Sequence, residues 1–178
     1  MGDPAIWRLN GYRALYVVAV LVIAVVLLLP LGTGAGRLPG PDVIVALTIA
    51  WAMRQPGHLP IVVLAATLLA ADFLLMRPPG LLAVITVLAV EVIRAREESW
   101  RDLQFLNSWA IGAALITGIF VINAICLAIF LVPQPSLGQT LIRLVLTLMI
   151  YPAAMGAVVY VFGVRHVTER PGTTGARP

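Results

Sequence analysis

An aspartate stands inside a membrane-length apolar run. Leu59 to Leu81, LPIVVLAATLLAADFLLMRPPGL, carries Asp72 and closes on Arg77 and a Pro-Pro-Gly break. A carboxylate at a membrane-helix centre costs roughly 2.5–3.5 kcal/mol on insertion, so such an acid is read as a site with a partner. The partners to consider are Asp42, at the head of an earlier apolar stretch, and Arg37, Arg77 and Arg143. Arginine pairs with carboxylates through two parallel hydrogen bonds, so these five residues are suited to a polar layer. Two readings of that layer stand side by side. In one it shapes a cleft or docking surface. In the other Asp42 is a helix cap and Asp72 pairs with Arg77 to hold a turn. On either, Asp72→Leu is expected to leave Arg77 or Arg143 without a partner.

Other chemistry has less to work with. A proton relay calls for further acids in mid-span, and Glu91 lies beside Arg94 at the end of its segment. The sequence has no H-E-x-x-H and no G-x-S-x-G, and its histidines, His58 and His166, sit at segment edges. Cys126 is the single cysteine, which excludes an internal disulfide and a cysteine-based metal site. The expectation is a non-enzymatic protein with no cofactor and no metal. Asn123, deep in an apolar run, is read as an interhelical hydrogen-bonding group and Cys126 as a packing residue.

The elements that must position these residues are helices in a membrane. The chain has 178 residues, 61% hydrophobic and 11% charged, with mean hydropathy +1.00; a soluble domain is about a quarter charged. All 12 basic residues are arginine. They are scattered along the chain instead of lining one face, so the net charge of +4 argues topology and not nucleic-acid binding. There are six apolar segments: 14–31, 43–53, 59–76, 81–93, 108–132 and 139–163. The second and fourth are short; eleven residues cover only about 17 Å, so the Val43 segment is either enclosed by its neighbours or dips in and returns. Residues 1–166 read as one membrane domain and 167–178 as a disordered tail.

Local signals refine this. The stretch Arg94 to Asp102 reads as a helical continuation with Arg94–Glu98 and Glu97–Arg101 pairs four residues apart. Ala110, Ala114 and Gly118 form a small-residue stripe for close helix packing, and a kink is expected at Tyr151-Pro152. With the N-terminus inside, nine arginines fall on cytoplasmic regions and three outside, and Trp7, Trp51, Trp100 and Trp109 fall near the cytoplasmic interface. Both termini are therefore expected in the cytoplasm.

This pattern resembles the bacterial rod shape-determining MreD family. The likeness rests on six hydrophobic segments, on Leu38-Pro39-Gly40-Pro41-Asp42 entering a short helix, and on Leu68-Leu69-Ala70-Ala71-Asp72-Phe73-Leu74 before a Pro-Gly turn and Leu81. It departs at Thr67, where the family motif has Gly, in the spacing of Asp72 after the Leu-Leu pair, and at Arg77-Pro78-Pro79 in the turn. The resemblance implies an all-α fold similar to the substrate-binding membrane subunits of energy-coupling-factor transporters. It also implies a scaffold of the rod complex in the bacterial inner membrane. Its partner would be MreC and, through it, MreB and the RodA/penicillin-binding-protein wall synthase. The competing reading is a small-molecule-binding subunit of a vitamin-type transporter. An enclosed pocket lined by Asp42, Asp72, Arg143 and aromatics would favour the latter, and a collapsed interior the former.

Overall fold

The structure, a computed structural model, describes residues 4–29, 39–100, 103–131 and 136–163. Every regular element among them is helical: α1 (Pro4–Leu28), α2 (Val43–Arg54), α3 (Ile61–Leu74), α4 (Leu81–Ala95), α5 (Glu97–Trp100), α6 (Phe105–Ile129) and α7 (Leu137–Tyr160). A one-turn 3-10 helix, Pro56–His58, links α2 to α3.

Helix α2 is the one the others enclose. Its sequence is apolar on all sides, as in helices with no solvent face, and ten of its twelve residues are buried. At about 18 Å it falls well short of a bilayer core, so burial by its neighbours is what sustains it. It packs most extensively on α7, then on α6 and α4. Its one polar interior group, Thr48, donates to Ile44 O at 2.7 Å and meets the Tyr16 hydroxyl at 2.9 Å. Both hydroxyls on that face are thus paired, as a low-dielectric interior requires.

Successive long helices reverse direction, which two sets of contacts fix. At one end Tyr12 of α1 stacks on His58, and Arg94 at the end of α4 donates to Leu59 O at 2.5 Å. At the other end the start of α2, the α3–α4 turn and the first turns of α7 meet through Asp42, Arg77 and Arg143. Trp51 belongs to the first end but is fully buried, edge-on to Tyr16 at 5.6 Å and tilted against Phe162 at 5.3 Å. It is a core residue, enclosed at the end of the bundle where the four tryptophans were expected to fall; Trp7, by contrast, is exposed.

Among the described residues three helices are long and apolar enough to cross a membrane: Leu9–Leu28, Phe105–Ile129 and Leu137–Tyr160. Large aliphatic side chains face outward on them, among them Val22, Val25, Val121, Ile125, Val145 and Met149. An apolar surface of that extent suits lipid, since in water it would drive association.

Element ends follow local chemistry. Helix α3 stops at Leu74, two residues before Met76, which adopts a left-handed φ of 52°. Gly80, at φ 87°, admits the sharp entry into α4. Helix α4 does not continue through the charged stretch: it is capped at Arg96, and only the single turn α5 comes after it. Arg94 turns back to Glu91 and to the Leu59 carbonyl, so its expected pairing with Glu98 is replaced. Glu97 and Glu98 are exposed, while Arg101, like Arg37 and the tail, lies outside the described residues. Helix α7 opens with a reciprocal Ser136–Gln139 capping box and runs unbroken through Pro152.

Candidate functional site

Asp42 is the hub of the polar layer. As N-cap of α2 its Oδ1 accepts from Val45 N at 3.4 Å. Its Oδ2 accepts from Arg77 Nη1 at 2.9 Å and from Arg143 Nη2 at 2.6 Å. Its backbone N–H donates to Thr147 Oγ1 at 2.8 Å, and the same hydroxyl donates to Arg143 O at 2.7 Å. With 1% of Asp42 exposed, the carboxylate has lost its hydration, and the two guanidiniums replace it. Such an arrangement is tolerated when every lone pair is answered and is strongly destabilising when one partner is removed.

Asp72 is also buried, but its partner is not the one expected. Its Oδ2 accepts from Gly80 N at 3.2 Å and Ala83 N at 3.3 Å. The carboxylate therefore caps the N-terminus of α4 from the facing helix α3, at the positive end of the helix dipole. Arg77 goes to Asp42; what joins it to Asp72 is backbone, Arg77 N donating to Asp72 O at 3.1 Å. The physical reason is reach: the turn Met76–Gly80 folds the α4 amides directly over Asp72, so local N–H groups win over a side chain.

Beside this lock lies a cleft of about 270 Å³ among the α3–α4 turn, α4, α6 and α7. Arg77 and Arg143 form its polar wall, with Asn123, Gln139 and Thr140; Leu81, Leu82, Phe120 and Leu127 form the apolar remainder. The Arg143 guanidinium carbon stands 6.0 Å from the Phe120 ring centre, within cation–π range. Asn123 is half-buried on the cleft wall and makes no hydrogen bond among the described residues, so the interhelical bond expected of it is not formed.

The small-residue stripe points away from the helix contacts. Ala110 and Ala114 are exposed, and nothing lies within 4 Å of where a Cβ on Gly118 would stand. The close approach on α6 is instead at Gly112, one helical face over, where an added Cβ would fall 1.9 Å from the Tyr151 hydroxyl. Cys126 is half-buried. Among the described residues no group of three or more His, Cys, Asp or Glu side chains is placed to hold a metal ion.

Thr147 and Phe120 escaped sequence reasoning. The signal for Thr147 was its position four residues after Arg143, on the same helical face; that for Phe120 was its place three residues before Asn123.

No family model matches this chain, and neither the curated proteins nor the solved structures gave a match. Its function is therefore to be sought in its own residues and their geometry.

Proposed function

We propose that this chain is a non-enzymatic membrane scaffold of the MreD type, organising lateral peptidoglycan synthesis in a bacterial inner membrane with MreC. MreB and the RodA/penicillin-binding-protein synthase would be reached through that partner. One observation carries the reading: the charges inside the helical bundle are used to join elements. Asp42 ties α2 to α7 and to the α3–α4 turn, and Asp72 ties α3 to α4. Groups committed in this way serve rigidity, which a scaffold presenting fixed faces to partners requires. The exposed stripe of Ala110 and Ala114 supplies a face on which a partner helix can approach closely.

The reading includes six membrane segments, both termini in the cytoplasm, and likeness to the energy-coupling-factor binding subunits. Affinity purification from native membranes tests it. Recovery of MreC and wall synthases is the expected outcome; an ATPase module with a bound vitamin would overturn it. That second outcome belongs to the transport-subunit reading, which the cleft favours because Asp42, Arg143 and one aromatic, Phe120, line it. Asp72 is absent from that lining and the site is an open cleft, not an enclosed pocket, so it meets the criterion for transport only in part.

A further inference from the structure

The cleft beside the Asp42 lock has chemistry that the lock does not use. Each guanidinium carries five N–H donors, yet Arg77 engages Asp42 through Nη1 alone and Arg143 through Nη2 alone. Arg77 Nη2 and Arg143 Nη1 make no hydrogen bond among the described residues and are not sealed from the cleft. The charges are unevenly exposed: the arginine side chains are 20% and 30% accessible and Asp42 only 1%. Asp72 restores overall neutrality to the layer, but it faces the α4 amides and takes no part in the cleft lining. The surface that a ligand meets is therefore cationic.

Depth selects the kind of ligand. Arg143 stands six residues into α7, about 9 Å along a helix whose 24 residues run about 36 Å. Asn123 stands at the matching distance from the end of α6. A bilayer has about 30 Å of hydrocarbon, flanked by headgroup zones, so donors at this depth on long stems reach the headgroup–acyl boundary. On α6 Phe120 lies one turn deeper than Asn123, and Leu127 and Leu82, nearer the helix ends, complete the apolar side of the cleft. Past the cleft the ends of α3 and α6 expose Met76, Ile129, Phe130 and Leu131 to the same zone.

We infer that this cleft is a binding site for an anionic phospholipid. Its phosphate is held by the free donors of Arg77 and Arg143, with Asn123 as a neutral donor, and its glycerol and first acyl carbons lie against the apolar side of the cleft, with Phe120 deepest. Basic pockets between membrane helices bind anionic lipid headgroups on the cytoplasmic side, and the same charge chemistry is available here at the opposite end of the bundle. The inference does not depend on the scaffold reading: a lipid would occupy this place whichever partners the protein has.

Native mass spectrometry of the whole chain tests it, after exchange into phosphatidylglycerol or phosphatidylcholine. Retention of phosphatidylglycerol is expected to exceed that of phosphatidylcholine by about tenfold, the equivalent of one charge-assisted hydrogen bond. Two variants leave Asp42, Arg77 and Arg143 themselves unchanged. Asn123→Asp adds a negative charge to the wall, and Ala124→Trp fills the cleft; each is expected to abolish the preference while melting like the parent. Equal retention of the two lipids, or an unchanged preference in both variants, overturns the inference. So does displacement of the lipid by excess inorganic phosphate alone, which would assign the site to a soluble oxyanion. Photocrosslinking from position 128, exposed one turn beyond Ala124 on α6, to an acidic segment of a partner protein, with none to lipid, would overturn it as well. Recovery of MreC is read separately, so failure here and failure of the scaffold reading are distinguishable.

Discussion

Asp42 serves α2, the α3–α4 turn and α7 at once, and Asp72 serves only α4, so their substitutions should differ. Asp42→Ala leaves two guanidiniums facing each other with no carboxylate between them and removes the α2 cap. A loss of about 3–5 kcal/mol is expected, as for a broken buried pair, seen as a large fall in melting temperature in detergent. Asp72→Ala removes a cap, with an expected cost of about 1–2 kcal/mol. Asp72→Asn retains an acceptor for Gly80 N and Ala83 N and should melt close to the parent; equal damage from Asn and Ala would show that charge, not capping, is what matters. That Asp42, Asp72, Arg77 and Arg143 belong to one neighbourhood was legible from the sequence, because the topology expected from the arginine count puts all four near the same ends of their segments. Which acid takes which partner was not. The pairing depends on the fold of the Met76–Gly80 turn, and a left-handed Met76 carries no sequence signal of the kind Gly80 gives.

Among the elements, α6 shows how a correct pattern can point to the wrong face. The sequence offers small residues at 110, 114 and 118, but the intramolecular contact is made by Gly112, Ile116 and Ile119. Both sets recur at nearly helical spacing, and only the position of Tyr151 on α7 decides between them. Gly112→Ala forces Tyr151 out of place, since both its hydroxyl and ring carbons lie within 2.8 Å of the new methyl. A destabilisation of about 1–3 kcal/mol is expected from such overpacking. Gly118→Ala has open space and should be neutral to slightly stabilising in the same melt, alanine being the better helix former. The existence of α2, α3, α4, α6 and α7 was legible from run length and from Pro and Gly punctuation. That Trp51 points inward was not, because an aromatic near a segment end reads the same whether lipid or Tyr16 lies beside it.

At the scale of the whole molecule, pH acts through the junction where α1 meets the α2–α3 link. His58 lies outside the apolar helices, stacked on Tyr12; partial burial, and secondarily the Arg13 charge, hold its pKa below the ordinary value. The unfolded chain, with a histidine near 6.5, then takes up its proton at higher pH than the folded protein does. Stability from this group is complete above about pH 6.5 and is lost as pH falls toward the lower folded-state value. Melting curves across that range should show the decline in the parent and a flatter profile in His58→Gln. Orientation can be tested by labelling single cysteines in a Cys126→Ala background: position 99 should be shielded from an external reagent and position 78 open to it. The arginine distribution made that orientation legible as an expectation; the enclosure of α2 was one of two options, because length alone does not say what surrounds a helix. Enclosure has a consequence for biogenesis. Helix α2 leaves the ribosome early, yet Arg143 and Thr147, which complete the shell of Asp42, arrive with the last helix. Until then an under-compensated acid waits at the membrane, a mark that quality-control proteases and insertion chaperones can read. A chain ending at residue 131 should therefore disappear quickly in pulse-chase labelling, whereas Asp42→Ala in the same truncation should live longer.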